Sequence, residues 1–528
     1  MVGVRLILSI AASAVLVAGC GAPNTAQPSQ GTPAPVASPS APVPPPLVPA
    51  MPLPDNAVEN AVSKLDGLAA ELLRESGVPG LAVAVVHGGK TVYAKGFGVR
   101  DVRSQEPVDP DTVFQLASLS KPLSATVVAR QVDDQTVGWD TPVVDELPWF
   151  ALSDPGVTAM LTVGDLFSHR SGLPDHAGDK LEDIGYDRRA VLERLRQLPL
   201  DPFRISYAYT NFGLTAAAEA VSVAAGLPWE RLAQESLFGP LGMNSTSYRF
   251  ADYETRSNRA VGHIRVGPRD YQPRYVRNAD PQAPAGGASS SVNDMTRWMS
   301  MVLAEGKLDD RQLIDAAALL PALTPQVVSS RGAEPAMRSG FYGYGFNVGT
   351  TSAARTELSH SGAFELGAGT NVAMLPSADV GIVALTNGTM SGVPEALTAQ
   401  FADLVQFGEV REPWYELYSS KLLPMGDPVG SLVGAPPLAD PDPAQPLSSY
   451  VGSYRNDFWG PAVVSERDGK LVLALGPRGD SFELAHRDGN VFTFTLVTEN
   501  APPGTISKAT FDGPKLTLEY FDEAVFIK

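Results

Sequence analysis

The chain has 528 residues, 44% hydrophobic and 19% charged, which is enough apolar material for one large core and room for two or three domains. Its formal net charge of -18 opposes binding to nucleic acid or to an anionic lipid surface through the body of the protein, because association would add like-charge repulsion. The six histidines include no closely spaced pair, and there is no CxxC and no HExxH, so neither a zinc site nor a redox dithiol is expected and no cofactor is implied.

The one cysteine, Cys20, follows Arg5, an apolar stretch from Leu6 to Ala18 that is too short to span a bilayer, and the small residues of Val17-Ala18-Gly19. This pattern predicts a signal peptide over residues 1–20. The tetrad ending in Cys20 resembles the bacterial lipobox, which implies lipidation of the thiol and a membrane anchor on the extracytoplasmic face. An ordinary cleaved signal or an uncleaved anchor is the alternative. From Gly21 to Pro54 the sequence is rich in Pro, Ala and Ser and has no charged residue. Such a stretch cannot bury enough apolar surface to offset its ordering entropy, so residues 21–54 read as a disordered spacer. In extended polyproline II, at about 3.1 Å per residue, it would hold the body off the membrane by up to roughly 100 Å.

The globular body is expected over residues 55–430. A helix is predicted from about Glu59 to Ser76, closed by Gly77 and Pro79. The apolar run Leu81 to Val86, the turn His87-Gly88-Gly89-Lys90 and the alternating Thr91 to Phe97 read as a hairpin. Helical stretches cluster between Leu119 and Leu241, and strand-like runs return at Thr370 to Leu375 and Gly381 to Thr386. A long helical insertion between strands that must pair predicts an α/β (α+β) sandwich of antiparallel sheet and flanking helices, with an all-helical lobe. Residues 431–446 read as a linker. Over residues 447–528, short alternating runs such as Lys470 to Leu475 and Val491 to Leu496 are separated by Asp468-Gly469, Asp488-Gly489 and Asp512-Gly513. They predict a small C-terminal antiparallel β-barrel or sandwich, structural or substrate-restricting in role.

Three short patterns carry chemistry. Ser118-Leu119-Ser120-Lys121 is the one S-x-x-K in the chain, and residues three apart on a helix share a face, so the lysine reaches the serine hydroxyl. Pro122 is tolerated in a first helical turn, which starts the helix near Ser118 and places the hydroxyl where N–H groups favour negative charge. Tyr209-Thr210-Asn211 supplies a phenol and an amide just before an alanine-rich helix. A second Y-x-N, Tyr454-Arg455-Asn456, sits among strands and reads as a core or edge aromatic. His360-Ser361-Gly362, followed by Ala363, precedes a strand-like run, and the glycine would let a ligand backbone approach a sheet edge. A surface turn with a solvated histidine is the competing reading.

These elements, with Phe114-Gln115-Leu116-Ala117, the Ser168-His169-Arg170-Ser171-Gly172-Leu173-Pro174 phrase, Pro240-Leu241-Gly242-Met243 and Ala285-Gly286-Gly287, resemble the penicillin-recognising serine hydrolases. The resemblance is to the branch holding class C β-lactamases, D-alanyl-D-alanine carboxypeptidases, D-aminopeptidases and esterases, and it spans about Val78 to Asn387. It implies Ser118 as nucleophile, Lys121 as its base or charge partner, Tyr209 as proton relay and Asn211 as substrate ligand. His360, Ser361, Gly362 and Ala363 would bind substrate, the N–H groups of Ser118 and Ala363 forming an oxyanion hole. Thr162-Val163-Gly164-Asp165 fits a capping box leading into the Ser168 turn. Where β-lactamases of this kind usually carry lysine, this chain has His360, which is mostly neutral at neutral pH and weakens recognition of a β-lactam carboxylate. The expected activity is hydrolysis of an ester, amide or D-amino-acid peptide through an acyl-enzyme, with β-lactam hydrolysis secondary. A small molecule or peptidoglycan-type substrate would be the partner. A non-catalytic envelope-binding lipoprotein that keeps the fold is the alternative.

Overall fold

Leu81 to Val86 is apolar at every position because both faces of its strand are covered, as residues of even and odd number alternate between two cores. The structure, a computed structural model, describes residues 44–528. Cys20, the expected signal peptide and most of the proline-rich stretch lie outside the described residues. Pro45–Leu47 forms a single 3₁₀ turn. Residues 49–528 make one compact unit. Within it, Ala50 N donates to Ala353 O at 2.9 Å and Arg355 Nη2 donates to Met51 O at 3.0 Å, so the stretch expected to be spacer up to Pro54 is docked from its last residues onward.

The expected first helix is two helices, α1 (Ala57–Val62) and α2 (Leu65–Ser76). Between them Ser63 Oγ donates to Asn60 O at 2.7 Å, a local bond that competes with the helical ladder. Gly77 ends α2 in the left-handed region, φ 76°, where glycine carries no Cβ penalty. The hairpin follows as β1 (Gly80–His87) and β2 (Lys90–Gly98). Helices α3 (Ser120–Asp133), α4 (Val163–Phe167), α5 (Asp179–Asp183), α6 (Asn211–Ala225) and α7 (Val292–Leu303) belong to the long insertion.

Six more strands complete the sheet: β3 (Val327–Ser330), β4 (Gly340–Tyr342), β5 (Asn347–Thr350), β6 (Thr356–Phe364), β7 (Ala368–Leu375) and β8 (Val380–Thr386). Its order is β2-β1-β8-β7-β6-β5-β4-β3, every pair antiparallel. Helices α1, α2 and α8 (Val393–Phe407), with α9 (Trp414–Leu422) beside them, cover one face. The helical lobe covers the other, Trp298 and Met299 of α7 sharing one core with Val372 of β7 and Val383 of β8. This is the α/β sandwich with helical lobe that the sequence predicts.

The C-terminal strands β9 (Gly452–Asn456), β10 (Gly460–Arg467), β11 (Lys470–Leu475), β12 (Asp480–Asp488), β13 (Val491–Thr495), β14 (Ile506–Asp512), β15 (Lys515–Leu518) and β16 (Ala524–Ile527) close into a barrel. Closure removes the exposed edges a sandwich would keep. Tyr454 is buried in it and donates its hydroxyl to Tyr450 O at 2.8 Å.

One buried carboxylate ties the lobe together. Thr162 and Asp165 form a reciprocal capping box on α4, and Asp165, fully buried, also accepts Arg170 Nε at 2.8 Å and Arg204 Nη2 at 2.8 Å. Burial works against its charge, but Arg204, Arg170 and Thr162 outweigh it and hold the carboxyl below the usual range. A lowered carboxylate pKa contributes stability that is present above the unfolded value and is lost as pH falls through the folded one. Asp165→Ala should cost about 3 kcal/mol in urea unfolding near pH 7, at the low end for breaking a buried pair because Arg204 is 45% exposed. The deficit should shrink in acid, where the native carboxyl is itself protonated.

Candidate active site

The chain turns sharply into Ser118. Ala117 has φ 48°, a region costly for a residue with a Cβ, and a 3₁₀ turn over Ala117–Leu119 runs straight into α3. This leaves Ser118 half-buried at the head of the helix while Lys121, one turn on, is fully buried. Pro122 sits in that first turn, where its missing N–H deprives no carbonyl.

Lys121 Nζ donates to Ser118 Oγ at 3.0 Å, Asn211 Oδ1 at 2.7 Å and Ala285 O at 2.9 Å. Tyr209 OH donates to Ser118 Oγ at 2.8 Å, and Lys121 Nζ lies 4.5 Å from the centre of the Tyr209 ring. Asn211, the first residue of α6, is oriented by a bond from its Nδ2 to Asp179 Oδ2 at 2.8 Å. The structure thus brings Ser118, Lys121, Tyr209 and Asn211 into one hydrogen-bonded group.

Burial pushes the Lys121 ammonium down to about 7, with the Asp179 carboxylate opposing it. When the amine is neutral, its two N–H groups satisfy Asn211 and Ala285 and its lone pair faces the Ser118 hydroxyl. Burial also raises Tyr209 well above the usual phenol range, only partly offset by Ser118, so the phenol stays protonated at working pH and donates.

His360 and Gly362 lie on the lobe-facing side of β6, and Ser361 and Ala363 on the other. The histidine is not on a solvated turn: it is 4% exposed. Its Nδ1 is 2.6 Å from the Ser361 carbonyl oxygen, so Nδ1 carries the proton and Nε2 accepts from Tyr342 OH at 2.8 Å. Burial, then Lys121, pushes its pKa down to about 3, which keeps it neutral across the physiological range. Ser361 does not face the serine, since its Oγ accepts Asn371 Nδ2 at 2.8 Å across the β6–β7 pair. Gly362 serves the protein's own packing: a Cβ there would press on the Leu116 carbonyl and the Thr370 hydroxyl and lie 2.9 Å from Ser118 N. Strand β5 pairs β6 only as far as Ser359, so the His360–Phe364 half runs beyond that neighbour, beside the Ser118 turn.

Several residues of the site carry no assigned role from sequence. The Ala285 carbonyl sits in a π-turn over Ala283–Gly287, within a phrase that marked the family and no more. His169 belongs to another such phrase. Its carbonyl accepts Ala208 N at 3.0 Å, its Nδ1 accepts Thr210 N at 3.2 Å and its ring lies 4.5 Å from that of Tyr209. Asp179 and Tyr342 had no sequence signal at all.

An antiparallel sheet under a helical lobe, with a serine hydroxyl held between an amine and a phenol at their junction, defines a serine hydrolase of the β-lactamase-related class. Residues 65–407 match the family Beta-lactamase, and residues 436–517 match a domain of unknown function, DUF3471. The chain belongs to the Beta-lactamase family. It is 28% identical over 470 residues to the unguisins hydrolase ungD of Aspergillus violaceofuscus, covering 82% of each chain. It is 26% identical over 386 residues to the esterase EstB of Burkholderia gladioli, covering 65% of this chain and 94% of that one. Among solved structures, the octameric penicillin-binding protein homologue from Pyrococcus abyssi superposes with a TM-score of 0.58 at 19% identity, over 88% of this chain and all of that one.

The lysine fixes a pH dependence. Reactivity of Ser118 toward an uncharged fluorophosphonate should rise as pH climbs through about 7, as the amine loses its proton, and level off above. Asp179→Asn removes the carboxylate that opposes this shift, so the rising limb should move to lower pH. Stopped-time labelling from pH 5.5 to 9 reads both, and a flat profile would contradict the titration.

Proposed function

We propose that the protein hydrolyses an uncharged ester, an amide or a D-amino-acid peptide through an acyl-enzyme on Ser118, at the extracytoplasmic face of the cell membrane. The observation that carries this reading is the position of Ser118 Oγ, 3.0 Å from Lys121 Nζ and 2.8 Å from Tyr209 OH. Neutral Lys121 takes the hydroxyl proton as Oγ attacks the carbonyl carbon. The N–H groups of Ser118 and Ala363 stabilise the oxyanion. Tyr209 gives its proton to the departing alcohol or amine as the C–O or C–N bond breaks, and the proton on Lys121 replaces it. Water then attacks the acyl carbon, returning the acid and the serine hydroxyl. Asn211 fixes the lysine and offers its amide edge to substrate.

His360 supports the choice of neutral substrates. A penicillin carboxylate at the end of β6 would meet an imidazole held uncharged by burial, leaving the anion without a charged partner. The names of two relatives, an esterase and an unguisins hydrolase, support hydrolysis as the reaction class.

Ser118→Ala should abolish fluorophosphonate labelling, and Ser118→Ala and Lys121→Ala should each lower turnover of the best ester by at least roughly a thousandfold without unfolding. The double variant should be little worse than either single one, since the two groups act as a unit. Serine-independent labelling, or a penicillin turned over faster than any ester in a mixed panel, would defeat the reading.

The membrane tether rests on Cys20 alone. Two acyl chains, at about 0.8 kcal/mol per buried methylene, anchor stably where one does not. Cys20→Ala should lose radioactive palmitate and leave the membrane fraction. A variant that remains membrane-bound would refute lipidation as the anchor.

A further inference from the structure

The loop joining β13 to β14 in the barrel makes polar bonds into the catalytic lobe at residues Thr498, Glu499 and Asn500. Asp183 Oδ2 accepts Thr498 Oγ1 at 2.7 Å and Asn500 Nδ2 at 2.9 Å. Arg478, also from the barrel, donates to the Asp183 carbonyl at 2.6 Å. Asp183 is the last residue of α5, and Asp179, the first, is the residue that orients Asn211 against Lys121. One short helix therefore has the barrel at one end and the catalytic amide at the other.

Glu499 reaches two further parts of the site. Its Oε1 accepts the backbone N–H of Glu365 at 2.8 Å, the residue directly after β6, two positions from Ala363. Its Oε2 lies 3.7 Å from Arg277 Nε. Arg277 forms a bidentate pair with Glu182 at 3.0 and 2.8 Å, its guanidinium stands 5.1 Å over the Phe364 ring, and its carbonyl accepts Gln115 Nε2 at 2.8 Å, three residues before Ser118. Glu182 also accepts from Gln282 Nε2, at the start of the π-turn that presents Ala285 O to Lys121.

We propose that the Thr498–Asn500 loop of the DUF3471 barrel is a positioning element of the active site, holding α5, the end of β6 and the π-turn in register around Ser118, with Glu499 as its central residue. The three segments share no continuous backbone, and the loop with its Arg277–Glu182 partner bonds to each of them. A displacement of about 1 Å between reacting groups can cost up to a hundredfold in rate, so a clamp at these three ends acts on acylation without touching substrate. Glu499 is thus a positioning residue and not a catalytic one. The proposal rests on the acyl-enzyme reading above.

The test compares full-length variants for the second-order rate of fluorophosphonate labelling and for kcat and KM on an uncharged ester. Glu499→Ala removes the acceptor of the Glu365 N–H and should slow labelling and kcat by about tenfold to a hundredfold, with KM changed much less. Glu499→Gln keeps an oxygen acceptor there and should recover to within about threefold of the native rate. Val464→Ala, a cavity change in the barrel core on β10, should lower the melting temperature by at least as much as Glu499→Ala while labelling within about twofold of native. Native labelling in Glu499→Ala, equal slowing in the Ala and Gln variants, or equal slowing in Val464→Ala would each overturn the proposal. Labelling that persists in Ser118→Ala would instead bring down the acyl-enzyme reading itself.

Discussion

The burial of one amine governs the arrangement of this protein. Lys121 is fully enclosed, and an enclosed ammonium loses hydration that no single acceptor replaces. The fold answers with a serine hydroxyl from the preceding turn, and with an amide oxygen and a backbone carbonyl 90 and 164 residues away along the chain. Each acceptor has its own support: Asn211 is held by Asp179, and Ala285 O by a π-turn whose extra residue turns a carbonyl inward. The residual cost of burial appears as the lowered proton affinity of the amine, and that is the property a base for a serine hydroxyl requires.

The same economy explains why a residue with so plain a side chain as Gly362 matters. Strand β6 passes close against the backbone of Leu116 and Ser118, and any Cβ at position 362 would push the strand away. The strained φ of Ala117 is the opposite face of this approach. Strain at one residue and the absence of a side chain at another are both consequences of bringing a helix head against a sheet strand, where Ala117 packs in a small apolar cluster with Ala279, Phe364 and Ala368.

What the sequence made legible follows from where the physical signal is local. The strands β1, β7 and β8 could be read because they are buried on both faces and so apolar at nearly every position. The barrel turns could be read because Asp468-Gly469 and its counterparts need left-handed backbone that glycine supplies. Strands β3 to β6 were missed. They are short or interrupted by glycine and serine, and β6 alternates His360 and Gly362 with Ser361, a composition that looks like a turn until the lobe covers it. In the site, the spacing of Ser118 and Lys121 on one helical face and of Tyr209 and Asn211 at a helix start gives a local reason for each pair. Asp179, Tyr342 and the Ala285 carbonyl have none, because each acquires its meaning only from segments that the fold brings together.

Charge completes the logic. Two side chains hydrogen-bond the Ser118 hydroxyl, Lys121 and Tyr209, and burial favours the uncharged form of each, lowering the pKa of the amine and raising that of the phenol. His360, nearby, is held neutral by the same desolvation and by the lysine. Around the serine, then, the amine titrates near neutral pH while the phenol stays protonated, which is what the proposed roles of base and proton donor require. A second cation at the end of β6 would compete with the charging of Lys121 in the transition state, since like charges in a desolvated cleft disfavour each other. A neutral imidazole there removes that penalty, at the cost of a fixed charge for an anionic substrate. On the proposed mechanism, a neutral His360 at this position therefore acts on the base as well as on the ligand.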